Sequence, residues 1–179
     1  MTNYRGWTRR RILAAAISIP AISLPGLATA ASSAQRLRFW NTHTNEKLDI
    51  VYRDKRGTRP DALAQINHIL RDHRTGTVTQ MDAGLLDILS ALYDGHGSTG
   101  RFEIISGYRS PASNEMLRHR SGGVAKNSYH TLGQAIDIRL SDVSTSQLRD
   151  SALELGRGGV GYYASDDFIH VDTGRVRFW

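Results

Sequence analysis

The stretch Ser128-Tyr-His-Thr-Leu-Gly-Gln-Ala-Ile-Asp137 constrains this chain more than any other. Gly133 lets the backbone turn between an imidazole, His130, and a carboxylate, Asp137. From Gln134 to Leu140 the residues alternate, with Ile136, Ile138 and Leu140 on one side and Ala135, Asp137 and Arg139 on the other. That period describes a strand whose polar groups leave the face opposite the core. A second segment, Asp167-Phe-Ile-His-Val-Asp172, alternates in the same way and sets Ile169 and Val171 against His170 and Asp172. His130, Asp137 and His170 together offer two nitrogens and an oxygen, and with a fourth position left for water they match a common catalytic zinc site. The competing reading pairs Asp137 with Arg139 or another base and makes both histidines satisfied core groups. It does not explain why polar residues project from two otherwise apolar strands.

The chain begins with a segment of different character. Thr8-Arg-Arg-Arg-Ile-Leu13 is followed by a mostly apolar run to Leu27 and then by Ala28-Thr-Ala30. A twin arginine, an apolar segment and a small-x-small site make an export signal, with cleavage expected after Ala30. The alternative is a membrane anchor, but Pro20, Pro25 and Gly26 interrupt the run, which is short for a span of ~20 residues. The signal carries Arg5, Arg9, Arg10 and Arg11 and no acid, so of 23 basic residues 19 remain against 17 acidic ones. The net charge of +6 therefore belongs largely to the leader, and nothing argues for nucleic-acid binding. Residues 31–35 read as a polar linker and 36–179 as one domain, long enough for a real core. With no cysteine in the chain, any metal must be held by histidines and carboxylates.

Along this domain, Arg36–Trp40 and Leu48–Tyr52 read as a hairpin around a turn at Thr44-Asn45, followed by a charged loop from Asp54 to Arg59. Pro60–Arg71 has a helical period with Leu63, Ile66, Ile69 and Leu70 on one face. Asp82 caps a second helix to Tyr93, whose core side carries Leu85, Leu86, Leu89 and Leu92. Phe102–Ile105 is an apolar strand, Ser110-Pro111 opens a third helix to about Arg120, and Ser144-x-x-Gln147 is a capping box for a last helix to Leu155. Val160–Tyr163 and Phe168–Val171 supply the final strands. The expectation is an α+β domain with a small, largely antiparallel sheet carrying the site between flanking helices.

The pattern Ser-x-His-x-x-Gly-x-Ala-x-Asp followed by a late His-x-Asp resembles the zinc peptidases that include D-Ala-D-Ala carboxypeptidases, murein endopeptidases and the hedgehog signalling domain. Its murein endopeptidase K branch is similar at several further points: Asn41-Thr-His-Thr44 with Glu46, Ser106-Gly-Tyr-Arg-Ser-Pro111, Asn114, Leu117-Arg118, Val124-Ala125 and Asn127-Ser128. It is also matched by Gly158-Gly-Val-Gly-Tyr-Tyr163, His170-Val-Asp-Thr-Gly174, Arg177 and Trp179. The resemblance covers roughly Arg36 to Trp179. It implies a hedgehog/D-Ala-D-Ala peptidase-like fold, bound zinc and peptidoglycan as the partner. An exported zinc metallopeptidase would then act outside the cytoplasm, in the periplasm of a cell that has one, on an amide bond in stem peptides or cross-links, with no stable membrane span after signal cleavage.

Such hydrolysis needs a general base beside the metal. Asp167 stands three residues before His170, where many relatives place the Glu of Glu-x-x-His; it is one methylene shorter. Asp172 shares the face of His170 and is favoured slightly over Asp167 as the base, with orienter of that histidine as its other reading. Arg109 follows a strand in Ser-Gly-Tyr-Arg-Ser; the resemblance implies contact with substrate, as a carboxylate clamp or an oxyanion partner. Tyr108, Ser128, Tyr162 and Tyr163 are candidates for lining the cleft. His43 belongs to a matched segment, whereas His68, His73, His96 and His119 have no partnered motif. Two other functions stay open: a non-catalytic zinc-stabilised cell-wall module, and a zinc carboxypeptidase trimming terminal D-Ala.

Overall fold

The computed structural model describes residues 34–120 and 122–179. The twin-arginine leader, residues 1–30, lies outside them. Gln35, expected in a linker, is already the first residue of a strand.

Among the described residues, eight strands form one sheet: β1 (Gln35–Asn41), β2 (Lys47–Asp54), β3 (Gly57–Thr58), β4 (Phe102–Ser106), β5 (Ala135–Leu140), β6 (Gly159–Tyr163), β7 (Phe168–Asp172) and β8 (Arg177–Phe178). Their spatial order is β3-β2-β1-β4-β5-β7-β6-β8. The pairings of β1 with β4 and of β6 with β8 are parallel, and the others antiparallel. The domain is α+β as expected, but its sheet is larger and more mixed than the sequence suggests. β3 and β8 are the reason: strands of two residues carry no readable alternation.

The helices are α1 (Pro60–Ile69), α2 (Ala83–Gly95), α3 (Pro111–Arg120) and α4 (Thr145–Leu155). In α2 the leucines Leu85, Leu86, Leu89 and Leu92 are all buried, each worth roughly 2 kcal/mol against exposure. The Asp82 carboxylate caps this helix, accepting from the Gly84 N–H at 2.8 Å, and its other oxygen accepts from the Thr173 hydroxyl beyond β7. α1 is turned slightly from expectation, since Ala62 is buried and Leu63 only half-buried. At α4 the Ser144 hydroxyl accepts from the Gln147 N–H, but the Gln147 side chain bonds the hydroxyl rather than reaching back to the backbone.

α1, α2 and α4 share one core with Leu37 and Phe39 of β1, Ile136 and Ile138 of β5, and Ile169 and Val171 of β7. The opposite face of the sheet carries the polar partners of these residues. Cross-strand register lines up Ser106, Asp137, His170 and Gly161 in one row across β4, β5, β7 and β6. A register shift between Ile104 and Ser106 brings Ser106 into that row.

Candidate metal centre

His130 reaches the row from a single 3₁₀ turn, Tyr129–Leu132. The Ser128 hydroxyl caps it by accepting from the His130 N–H. Gly133 ends it in the left-handed region at φ 69°, and a Cβ there would stand 2.6 Å from the Gln80 carbonyl oxygen. Only glycine joins this turn to β5 at such close range. The His130 carbonyl also accepts from the Arg109 N–H at 3.1 Å, which ties the two functional loops together.

Nε2 of His130, Nδ1 of His170 and Oδ1 of Asp137 face one another at 3.2, 2.9 and 3.2 Å. The remaining ring nitrogens have partners of their own. His130 Nδ1 donates to the Gly107 carbonyl at 2.8 Å, and His170 Nε2 donates to Asp172 Oδ2 at 2.9 Å. These partners fix the tautomers so that two imidazole lone pairs and a carboxylate converge with no hydrogen among them. A cation satisfies such a cluster. In a tetrahedron with bonds of ~2.1 Å the donors stand about 3.4 Å apart, so the observed triangle fits zinc. A carbonyl and a carboxylate behind the two imidazoles are also the usual supports of metal-binding histidines.

Electrostatics agree with this arrangement. Burial alone would raise the Asp137 carboxyl, but His130 and His170 hold it well below the ordinary carboxylate range. Burial would lower His170, but Asp137 and Asp172 on either side raise it above its ordinary value of 6.5. Without a cation, a proton on His170 relieves the convergence.

The two candidate acids stand elsewhere. Asp172 is fully buried behind His170. Its oxygens accept from the Gly159 and Gly174 N–H groups, and it pairs with Arg177 at 2.6 Å. Although burial works against it, these donors and His170 hold its carboxyl far down. Asp172 thus stands behind the His170 ring, bonded to Nε2, with both of its oxygens engaged by these partners. Asp167 adopts a left-handed turn at φ 52°, and its carboxylate accepts from Thr145 of α4 at 2.6 Å, away from the cleft. Asp166 beside it does line the cleft. Arg139, the alternative partner of Asp137, turns instead to Glu103 and to the turn at Asp166 and Asp167.

The triangle lies in a cleft of about 790 Å³ that Arg109, Ser128, Tyr163, Arg175 and Trp179 help to line. The largely buried Arg109 lies 3.7 Å from Asp137 Oδ2 through Nη2, and its guanidinium donates to Asn114 and Ser106. Its Nε is buried without a partner. Asp72, fully buried, accepts from the Ser110 N–H at 2.9 Å and so fixes the next residue of that loop. Sequence reasoning missed Asp72, and only a spatial contact reveals it. Tyr108 and Tyr162 pack against the core instead of the cleft, and the Arg149 guanidinium covers the Tyr162 ring. His43 lies outside the triangle; it stacks on His73 and bonds the Ile105 carbonyl.

Comparison with known proteins places the chain in a family. The family model described as Peptidoglycan L,D-endopeptidase MepK matches residues 29–179. The chain is similar to the Peptidoglycan L,D-endopeptidase MepK of Escherichia coli K12, 42% identical over 175 residues and 96% of each chain. Its similarity to the protein of the same name in Shigella flexneri has the same extent. It is 40% identical over 181 residues to the Probable peptidoglycan L,D-endopeptidase MepK of Haemophilus influenzae, across 99% of this chain and 95% of that one. Matched over most of its length by the family model and by these relatives, the chain belongs to the MepK family of peptidoglycan L,D-endopeptidases.

Proposed function

We propose that this chain is an exported zinc metallopeptidase that hydrolyses an amide bond in peptidoglycan stem peptides or cross-links. The observation that carries the reading is the convergence of the His130, His170 and Asp137 donor atoms in the lining of an open cleft. The names of the relatives supply the polymer and the bond class.

Zinc held there would acidify a water and polarise the scissile carbonyl. The chain's own residues do the rest. Gly107 and Asp172 keep each imidazole in the tautomer that aims its lone pair inward. Arg109, its charge partly balanced by Asp137, presents a guanidinium where negative charge develops on the carbonyl oxygen. Asp166 is the carboxylate lining the cleft outside the triangle among the described residues, and it is the acid placed to exchange protons with water in that space. The Thr8-Arg9-Arg10-Arg11 leader supports delivery by the twin-arginine pathway, with cleavage after Ala30, to the extracytoplasmic space where peptidoglycan lies. No helix among the described residues is long and apolar enough to cross a membrane.

Digestion of purified peptidoglycan with and without a chelator, followed by mass analysis of the fragments, tests the reading. Chelator-sensitive loss of cross-linked fragments is expected. Release of terminal D-Ala alone would redefine the enzyme as a carboxypeptidase, and bound zinc without any cleavage would leave a binding module.

A further inference from the structure

Gly161 occupies the position in the polar row next to His170. It has no side chain, and a Cβ there would stand 2.7 Å from the Trp179 indole. That indole fills the space instead. Its ring centroid lies 5.2 Å from that of His170, and Arg177, already paired with Asp172, lies 5.0 Å over it. The Trp179 backbone is clipped to β6 through bonds with Val160 and Tyr162. The indole is thus held on several sides, and its Nε1–H donates to the Tyr163 hydroxyl oxygen at 3.0 Å.

Tyr163 is the next residue along β6 on the face of Gly161, and it lines the cleft with the metal triangle and Arg109. Its ring is stacked on Phe168 at 4.6 Å and 16°. The hydroxyl oxygen is engaged by Trp179, so the O–H proton must point elsewhere. Among the described residues nothing accepts it. A phenol with a fixed ring, a fixed oxygen and a free donor is a prepared hydrogen-bond donor in the reaction space.

We infer that Tyr163 is a catalytic residue that donates its O–H to the oxyanion formed from the scissile carbonyl, alongside Arg109, and that Trp179 is the positioning residue that aims it. The proton stays on Tyr163; the hydrogen bond strengthens as the carbonyl oxygen gains charge. This rests on the amide hydrolysis proposed above.

The test compares zinc-loaded wild type, Tyr163→Phe, Trp179→Phe and the double variant on a cross-linked muropeptide. Phenylalanine retains the stack on Phe168 and an aromatic ring over Gly161, so zinc content and thermal midpoint serve as controls for folding. Tyr163→Phe should lower kcat roughly 100-fold with KM nearly unchanged. Trp179→Phe should lower kcat by about 10-fold, and the double variant should be no worse than Tyr163→Phe, because the indole acts through the phenol. Binding of a phosphinate pseudodipeptide, whose tetrahedral oxygens mimic the oxyanion, should weaken in Tyr163→Phe while binding of the cleaved peptide does not. An active wild type with an unchanged Tyr163→Phe overturns this assignment and leaves the hydrolysis standing. Additive losses in the double variant overturn the positioning role of Trp179. A wild type that neither cleaves the muropeptide nor binds the phosphinate overturns both readings together.

Discussion

Asp172 Oδ2 lies 2.9 Å from His170 Nε2, on the far side of the imidazole from the convergent donors. This contact determines which nitrogen of His170 carries the hydrogen, and so which one is free for a metal. The same carboxylate anchors Arg177 and two backbone N–H groups. Asp172→Asn should therefore weaken zinc binding by about 10–100-fold. It should also cost on the order of 2 kcal/mol in stability through the weakened charged hydrogen bonds. Competition with a chromogenic chelator reads the first effect and urea unfolding the second. Full activity with zinc affinity intact would show that Asp172 does not orient the ligand.

Zinc uptake should be coupled to release of a proton from His170. The pKa of His170 in the metal-free protein is raised above 6.5 by Asp137 and Asp172. Zinc must displace that proton, so affinity should climb with pH until the raised value is passed. The sign for stability is opposite. A histidine whose folded pKa is raised stabilises the metal-free fold fully below its unfolded value, and this contribution is lost as pH rises through the folded one. Calorimetry of zinc binding in buffers of different ionisation enthalpy counts the released protons. His170→Ala should abolish tight binding and the proton release together, and a heat independent of buffer in the wild type would contradict the account.

Much of this site was legible in the sequence because two members of the triangle lie on alternating strands. His170 and Asp137 stand directly opposite each other in β7 and β5, each between buried aliphatic neighbours, so period-two patterning found both. The capped α2 was readable for a related reason, since Asp82 and its four core leucines are local in sequence. What escaped depends on contacts between distant segments. Asp72 supports the Arg109 loop from a turn 38 residues away, and no periodicity marks such a contact. Gly107 acts through its carbonyl, which has no signature in residue type. Asp167 and Asp172 looked alike as acids near His170; only the turn at Asp167 and the depth of Asp172 separate them.

The two aspartates of the β6–β7 turn provide a sharp contrast. Asp167 is exposed, bonds Thr145 and leaves the cleft, whereas Asp166 lines it. Asp167→Ala should change kcat/KM by no more than about 2-fold, the range of ordinary surface substitutions. Asp166→Ala should lower it by on the order of 100-fold if it exchanges protons with water in the cleft. Steady-state kinetics on one muropeptide decides between them, and the reverse ranking would return Asp167 to the mechanism.

Arg109 should behave as a charge that matters more in the transition state than in the ground state. Its guanidinium is held by Ser106, Asn114 and the nearby Asp137. Arg109→Lys keeps the charge but cannot satisfy these fixed partners with one planar fork. A fall in kcat of roughly 100-fold is expected with zinc content intact. A loss confined to KM would instead mark Arg109 as a clamp for a substrate carboxylate.

Asp72 links that arginine to acid stability. Burial would raise its carboxyl, but Ser110, Ser113 and the Arg74 N–H hold it below its ordinary value of 3.8. A carboxyl depressed in the folded state stabilises fully above its unfolded value, and that stabilisation is lost as pH falls through 3.8 toward the folded value. Asp72→Asn removes the charge while keeping much of the shape. The variant should be less stable than wild type at about pH 6, and the difference should shrink at about pH 3 as the Asp72 carboxyl of the unfolded wild-type chain, but not that of the folded one, begins to bind protons. Because Asp72 accepts from the Ser110 N–H, the substitution should also loosen Arg109 and reduce kcat without altering zinc affinity. Urea midpoints at the two pH values, measured beside kcat and chelator competition, separate these effects. A constant stability difference across that range would mean that the Asp72 charge is not what holds the loop.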